Sequence, residues 1–157
     1  MCHISTSIDI EASASRVWAV LMDFPAYSDW NPFVRSLEGS AEPGGRLQVT
    51  VQPEGGHMMS FTPEILACVP EREFRWCGTV MMERLFAGEH AFRLTESAAH
   101  SCRFIHEECF SGILVPILMR GAMRTGTQVG FVAMNRALKA RAETLHLLRE
   151  RRLIGDP

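Results

Sequence analysis

Ile4, Thr6, Ile8 and Ile10 alternate with His3, Ser5, Ser7 and Asp9, the two-residue period of a strand with one buried face. After Glu11 the period changes. Ser13 is placed to cap a helix in which Val17, Trp18, Leu21 and Phe24 follow helical spacing, and Pro25 forces the residue before it out of the helical region. A second short helix is expected over about residues 26–30. Pro32 stops it and launches a strand over 33–37, closed by Gly39 and the loop to Gly44-Gly45. Leu47, Val49 and Val51 then alternate with Gln48, Thr50 and Gln52, and the PEGG stretch at 53–56 supplies residues able to take positive φ in a hairpin turn.

The next strand is expected over about 58–68, turned by Val69-Pro70-Glu71 into a short strand with Phe74 and Trp76 on one side and Arg75 on the other. A loop at 78–83 leads to a long strand in which Phe86, His90, Phe92 and Leu94 share a face. Beyond the polar turn at 97–101, Phe104, His106, Glu108 and Phe110 share a face of the last strand. Past Pro116 the period becomes 3.6, with Met123, Thr127, Phe131, Met134, Leu138, Leu145 and Leu148 forming one stripe of a helix that ends near Gly155. The pattern predicts an α+β domain: a strand, two short helices, a run of antiparallel strands and one long helix. That helix is the only element able to cover the concave apolar face of a curved sheet.

Composition narrows the class. A chain of 157 residues with 46% hydrophobic content is sized for a single domain, residues 1–157, with a proper core. A net charge of -2 and a pI near 6.3 disfavour nucleic acid and anionic lipid as partners. The five cysteines, Cys2, Cys68, Cys77, Cys102 and Cys109, are scattered without a CxxC pair. That argues against a disulfide framework and a zinc site, and fits a reducing cytoplasm. The N-terminus lacks a basic start followed by an apolar run, and no uninterrupted apolar span of about 18 residues occurs, so neither export nor stable membrane insertion is expected. A GxSxG elbow and a glycine-rich phosphate loop are both missing. No cofactor is expected. The basic residues of the C-terminal segment, Arg136 to Arg152, are interrupted by Glu143 and Glu150 and read as a solvated helix face.

The stretch VWAVLMDFPAYSDWNPF (17–33) followed by a glycine-rich turn resembles the START-like superfamily, also called the polyketide cyclase/dehydrase-like or SRPBCC group. The runs GEHAFRL (88–94), HEECFSGILVP (106–116) and FVAMNRALKARAE (131–143) carry the same resemblance. It implies a helix-grip fold, in which a curved antiparallel sheet of about seven strands holds the C-terminal helix around a hydrophobic cavity, with the two short helices closing one end. Members include lipid and hormone carriers and polyketide aromatase/cyclases. The resemblance implies a small hydrophobic ligand, and fixes the cavity better than any chemistry.

His90, His106 and Glu108 are the most unusual feature, because each occupies the apolar parity of its strand. A hairpin centred on 98–99 sets His90 opposite His106 or Glu108, with Cβ atoms roughly 4.5–5.5 Å apart. Such a cluster is a satisfied structural network, a polar anchor in a ligand pocket, or an acid/base pair in which Glu108 tunes His90. Metal binding is the least supported reading, since no third close ligand is in view. The candidate ligand-contacting set is Trp30, Phe33, Phe61, Trp76, Met82, Phe86, His90, Phe92, His106, Glu108, Phe110, Thr127, Gly130, Phe131 and Met134. The Met81-Met82 stretch, with Leu85 and Phe86, reads as an adaptable lip. Gly130, inside the helix and beside Phe131, is expected to leave empty volume for a guest. Binding without turnover is the favoured function, a cyclase-type enzyme using His90, Glu108 or His106 the next, and a protein-interaction module with a filled core the third.

Overall fold

The computed structural model describes residues 1–80, 84–98 and 100–154, with side chains described over the same ranges except Val80 and 146–154. Strand β1 (Cys2–Ile10) leads into α1 (Ala14–Met22), a 3-10 turn (Phe24–Ala26) and α2 (Tyr27–Trp30). Strands β2 (Val34–Gly39), β3 (Leu47–Val51), β4 (Met59–Phe61), β5 (Glu64–Val69), β6 (Glu73–Val80), β7 (Phe86–Ala98) and β8 (Ser101–Ser111) follow, then α3 (Val115–Leu118) and the long α4 (Ala122–Ile154).

Two antiparallel sheets result, one ordered β1-β8-β7-β6-β5 and one ordered β2-β3-β4. The strand expected over 58–68 is therefore two strands, and the reason is Pro63. It has no N–H to give a ladder, so the chain breaks there, and β4 stays with β3 while β5 pairs with β6. The sheets stay joined beside the break: Leu47 N donates to the Pro63 carbonyl at 3.0 Å and Ile65 N to the Gly45 carbonyl at 2.8 Å.

Parity along β6, β7 and β8 sorts charge from core. The odd positions carry an ion-paired outer face, with Arg75 on Glu89 at 2.7 Å, Arg93 on Glu73 at 3.0 Å, and Arg93 also paired with Glu107. The even positions Phe74, Trp76, His90, Phe92, Leu94, Phe104, His106 and Phe110 are buried. Phe131, Met134, Leu138 and Ala142 of α4 are fully buried, and each large apolar side chain so removed from water stabilises the fold by roughly 1.5–3 kcal/mol.

The corner between α2 and β2 is held by Asn31. Its side-chain Oδ1 accepts from the backbone N–H groups of Phe33 and Val34 at 3.0 and 2.8 Å, and the residue is fully buried. Tyr27 is tied in beside it, donating its hydroxyl to the Leu21 carbonyl at 2.8 Å. Gly55 takes φ +68 in the PEGG turn, as that turn requires.

The C-terminal region departs from its pattern in two places. Gly121 has φ +50 and precedes α4, so it belongs to the turn after α3 and not to the helix. Met123 and Leu145, read as part of the buried stripe, are 38% and 41% exposed, Met123 at the rim of a cavity that it helps to line.

Candidate functional site

A cavity of about 300 Å³ lies between the two sheets and the first turns of α4. Its wall is Phe33, Val34, Val51 and Phe61 from the smaller sheet, and Trp76, Gly78, Phe86, Gly88, His90, Glu108 and Phe110 from the larger one. Leu118, Met119, Met123 and Thr127 close the helical side. Met59, Leu118 and Met123 are also 41%, 44% and 38% exposed and so form an apolar rim. This size sits at the lower end of small-molecule sites, roughly 300–1,000 Å³.

The polar side chains in this wall are Ser60, Thr79, His90, Glu108 and Thr127, and of these His90 and Glu108 are joined to each other and to a row of buried contacts. His90 and Glu108 are direct cross-strand partners, one of the two registers the hairpin arithmetic allows. His90 Nδ1 lies 3.5 Å from Glu108 Oε2. His90 Nε2 is 2.9 Å from His106 Nε2, and His106 Nδ1 is 3.0 Å from Asn135 Oδ1. Asn135 Nδ2 donates to Thr6 Oγ1 at 2.9 Å. One row of contacts thus runs from β1 through α4 and β8 to the β7 wall of the cavity.

Aromatic packing holds the two imidazoles in place. The His106 ring stacks on Phe131 with centroids 3.6 Å apart, and the His90 ring stacks on Trp76 at 4.5 Å. Gly88 leaves the room that the carboxyl occupies, since a Cβ there would stand 2.7 Å from Glu108 Oε1.

Burial decides the charge states. It lowers His90 to about 3 and raises Glu108 to about 8, because an apolar surrounding disfavours the charged form of either group. His106 is held well below its ordinary value by burial and by His90 beside it, against the opposing pull of its bond to Asn135. Both rings and the carboxyl are therefore neutral near pH 7. Among the described residues no group of three His, Cys, Asp or Glu is arranged to hold a metal ion.

Of the residues picked out by sequence, Phe33, Phe61, Trp76, Phe86, His90, Glu108, Phe110 and Thr127 line the cavity. Phe92, His106, Phe131 and Met134 are buried behind that wall. Trp30 is also outside the wall, tilted on Tyr27 with centroids 5.2 Å apart. Met82 and its neighbour Met81 lie outside the described residues.

Gly130 requires a correction. A Cβ there would overlap Cδ2 of Phe33 and stand 3.0 Å from Cε2, so the missing side chain is filled by an aromatic ring and leaves no space for a guest. Gly126 is similar, with its would-be Cβ 2.7 Å from the Glu54 carbonyl oxygen. Gly130 lets α4 approach Phe33 just before β2, and Gly126 lets it approach the turn between β3 and β4. Sequence reading also passed over Asn135, although its place four residues after Phe131 puts it on the buried stripe, where a polar side chain calls for a partner.

The family model described as "Polyketide cyclase / dehydrase and lipid transport" matches residues 1–143. The chain belongs to this family. Among solved structures it is similar to the Zhui aromatase/cyclase of Streptomyces sp. R1128, at 19% identity and TM-score 0.73, covering 90% of this chain and 93% of that one. A START superfamily protein from Mycobacterium smegmatis matches at 17% identity and TM-score 0.68, over 91% and 98% of the two chains. The di-domain ARO/CYC BexL of the BE-7585A biosynthetic pathway matches at 16% identity and TM-score 0.66, and the chain spans 50% of its length. No curated protein sequence matches the chain. At these identities the structural likeness establishes the helix-grip fold. Among the described residues no helix is long and apolar enough to cross a membrane.

Proposed function

We propose that the protein binds a small hydrophobic molecule in the cavity between its sheets and α4, with Glu108 and His90 as the polar contact. The observation that carries this is a mostly apolar wall in which a neutral carboxyl and imidazole stand side by side, with the hydroxyls of Ser60, Thr79 and Thr127 as its other polar side-chain groups, the design common to small-molecule sites. Glu108 is raised to about 8 by burial and keeps 14% of its side chain exposed. It is therefore both protonated and reachable. The family membership and the START-like neighbour support the same reading.

The test is titration with Nile red, an uncharged dye that brightens in apolar surroundings. Binding should be saturable in the wild type and lost in Thr127→Phe, whose ring would occupy the cavity. Thr127 already donates its hydroxyl to the Met123 carbonyl at 2.9 Å, so the replacement strands no partner outside its own helix. Equal dye binding by both proteins would defeat the proposal.

A second reading is cyclase or dehydratase chemistry, favoured by the His90–Glu108 contact at 3.5 Å on the cavity wall. A neutral imidazole accepts a proton and a protonated carboxyl donates one, the two functions such a reaction needs side by side. The neighbour named as an aromatase/cyclase supports it. Incubation with a linear poly-β-keto thioester tests it: cyclised product must form, and must vanish in His90→Ala while Nile red still binds. Product formation that survives in His90→Ala removes this histidine from the chemistry.

A further inference from the structure

The row of contacts from Thr6 to Glu108 has a single direction, set at its far end. Asn135 Nδ2 has only hydrogens to offer, so Thr6 Oγ1, at 2.9 Å, is its acceptor, and the Thr6 hydroxyl proton points to the His106 carbonyl at 3.5 Å. Asn135 must then present its oxygen to His106 Nδ1, which carries the hydrogen of that 3.0 Å bond. His106 is neutral, so its Nε2 is a lone pair and the hydrogen of the 2.9 Å contact belongs to His90 Nε2. That leaves His90 Nδ1 facing Glu108 Oε2 at 3.5 Å. A carboxylate opposite a neutral ring would set lone pair against lone pair. Glu108 therefore keeps its proton, and the pair carries no net charge; at 3.5 Å the two atoms are in contact without a hydrogen bond that would commit that proton to His90.

Nothing else in the wall alters this balance. Among the described residues lining the cavity there is no Lys or Arg. Around the cavity that Glu108 lines, β7 contributes His90 and Gly88, β6 contributes Trp76, Gly78 and Thr79, β4 contributes Ser60, and the helical side contributes Met119, Met123 and Thr127, none of them charged and only His90 titratable. On β8 the neighbouring titratable group is His106, and the β1 residue paired with Glu108 is Ile4. The Thr127 hydroxyl is committed to Met123. An anionic ligand would enter without a counter-charge and beside a carboxyl, and burying an unpaired charge is among the costliest events in a protein interior.

Resting on the ligand-binding reading above, we infer that the cavity selects uncharged molecules with an oxygen acceptor, such as an ester, ketone or hydroxyl, seated on the carboxyl proton of Glu108 beside His90, and rejects carboxylates of the same skeleton. The relay through His106, Asn135 and Thr6 supports the selection by keeping the lone pair of His90 on Nδ1, facing Glu108, where it favours the protonated carboxyl. Glu108 touches the ligand. Asn135 is a positioning residue.

Displacement of bound Nile red by methyl decanoate and by decanoate tests this, since the two share an acyl chain and differ in charge. At about pH 7, where decanoate is ionised, the ester should displace the dye at a concentration at least about tenfold lower. Ester affinity should fall as pH rises through about 8, where Glu108 loses its proton, and should stay level in Glu108→Gln, which keeps a neutral donor. Asn135→Leu should narrow the ester preference without abolishing dye binding. Equal displacement by both compounds, displacement by neither, or the same pH response in Glu108→Gln overturns the inference while leaving the cavity a binding site. Dye binding unaffected by Thr127→Phe overturns the binding reading itself, and this inference with it.

Discussion

The Phe33 ring occupies the place of the missing Gly130 side chain: a Cβ there would overlap its Cδ2 and stand 3.2 Å from its Cγ. Phe33 is 3% exposed, packs edge-on against Phe131 with centroids 5.2 Å apart and lines the cavity, so moving its ring aside breaks that packing and takes volume from the cavity. Glycine in mid-helix costs about 1 kcal/mol relative to alanine, and that cost is offset by the close approach of α4 to β2.

Gly130→Ala should therefore destabilise the fold despite its better helix propensity. Overpacking costs about 1–3 kcal/mol and the propensity gain returns about 1, which leaves a net loss of up to about 2 kcal/mol. In a chain of this size each kcal/mol lowers the thermal midpoint by about 2–4 °C. A calorimetric midpoint equal to or above wild type would show that the ring can move aside.

Two-residue periodicity placed His90, His106 and Glu108 on one face because β7 and β8 pair in register from Ala87 to Glu96, with the irregularity confined to the turn end at Ala98. A bulge between those residues would have reversed the side chains beyond it. Periodicity did not show the split between Met59–Phe61 and Glu64–Val69, which differ in sheet rather than in period; the signal for it was Pro63, which the reading of one strand over 58–68 passed over. Nor could it tell Gly130 as void from Gly130 as contact. The residue opposite it is Phe33, far away along the chain, and such pairing is a property of docking. Thr6 and Asn135 each sat on a buried face in the pattern, but their role needed a partner from another element.

Asn135→Leu keeps the branched outline of the side chain and removes the bond to His106 Nδ1. The buried N–H left without an acceptor should cost about 1–3 kcal/mol in urea unfolding. Thr6→Val should cost less, since Thr6 sits at the end of the row and its own donated bond is long at 3.5 Å. The two changes share one contact, so the double variant should fall short of the sum by at least about 0.5 kcal/mol. Strict additivity would mean that Asn135 and Thr6 act independently and that the row is not one network.

Glu107 and Glu108 are neighbours on β8 that face opposite sides of the sheet. Glu107 pairs with Arg93 at the outer surface, where its side chain is 22% exposed, so Glu107→Gln should change stability by no more than about 1 kcal/mol. Glu108→Lys would put an ammonium group beside His90 in a cavity without a counter-charge. It should destabilise by about 3 kcal/mol or more at pH 7. Comparable midpoints for the two variants would refute the assignment of inner and outer faces.

The pH dependence of stability follows from the same three groups. Burial keeps Glu108 protonated up to about 8 against an ordinary 4.5. Between those values the folded chain retains a proton that the unfolded chain has released, so stability falls as pH rises through that window. His90 acts in the opposite sense: it is lowered to about 3 from 6.5, the unfolded chain binds a proton that the folded chain refuses, and stability climbs between those values. His106 is shifted in the same direction. Two histidines outweigh one carboxyl between pH 4.5 and 6.5, which places the maximum near 6.5 and leaves Glu108 in control of the decline from there to about 8. Burial raises the Cys68 and Cys102 thiols above their ordinary 9.0, so their effect begins beyond that window. Urea midpoints measured across the range should show the wild type losing stability between pH 6.5 and 8 and Glu108→Gln staying level, since its amide is neutral throughout. If the Gln variant declines in parallel with the wild type, the proton lost over that range belongs to some group other than Glu108, and the carboxyl is not held neutral by the cavity.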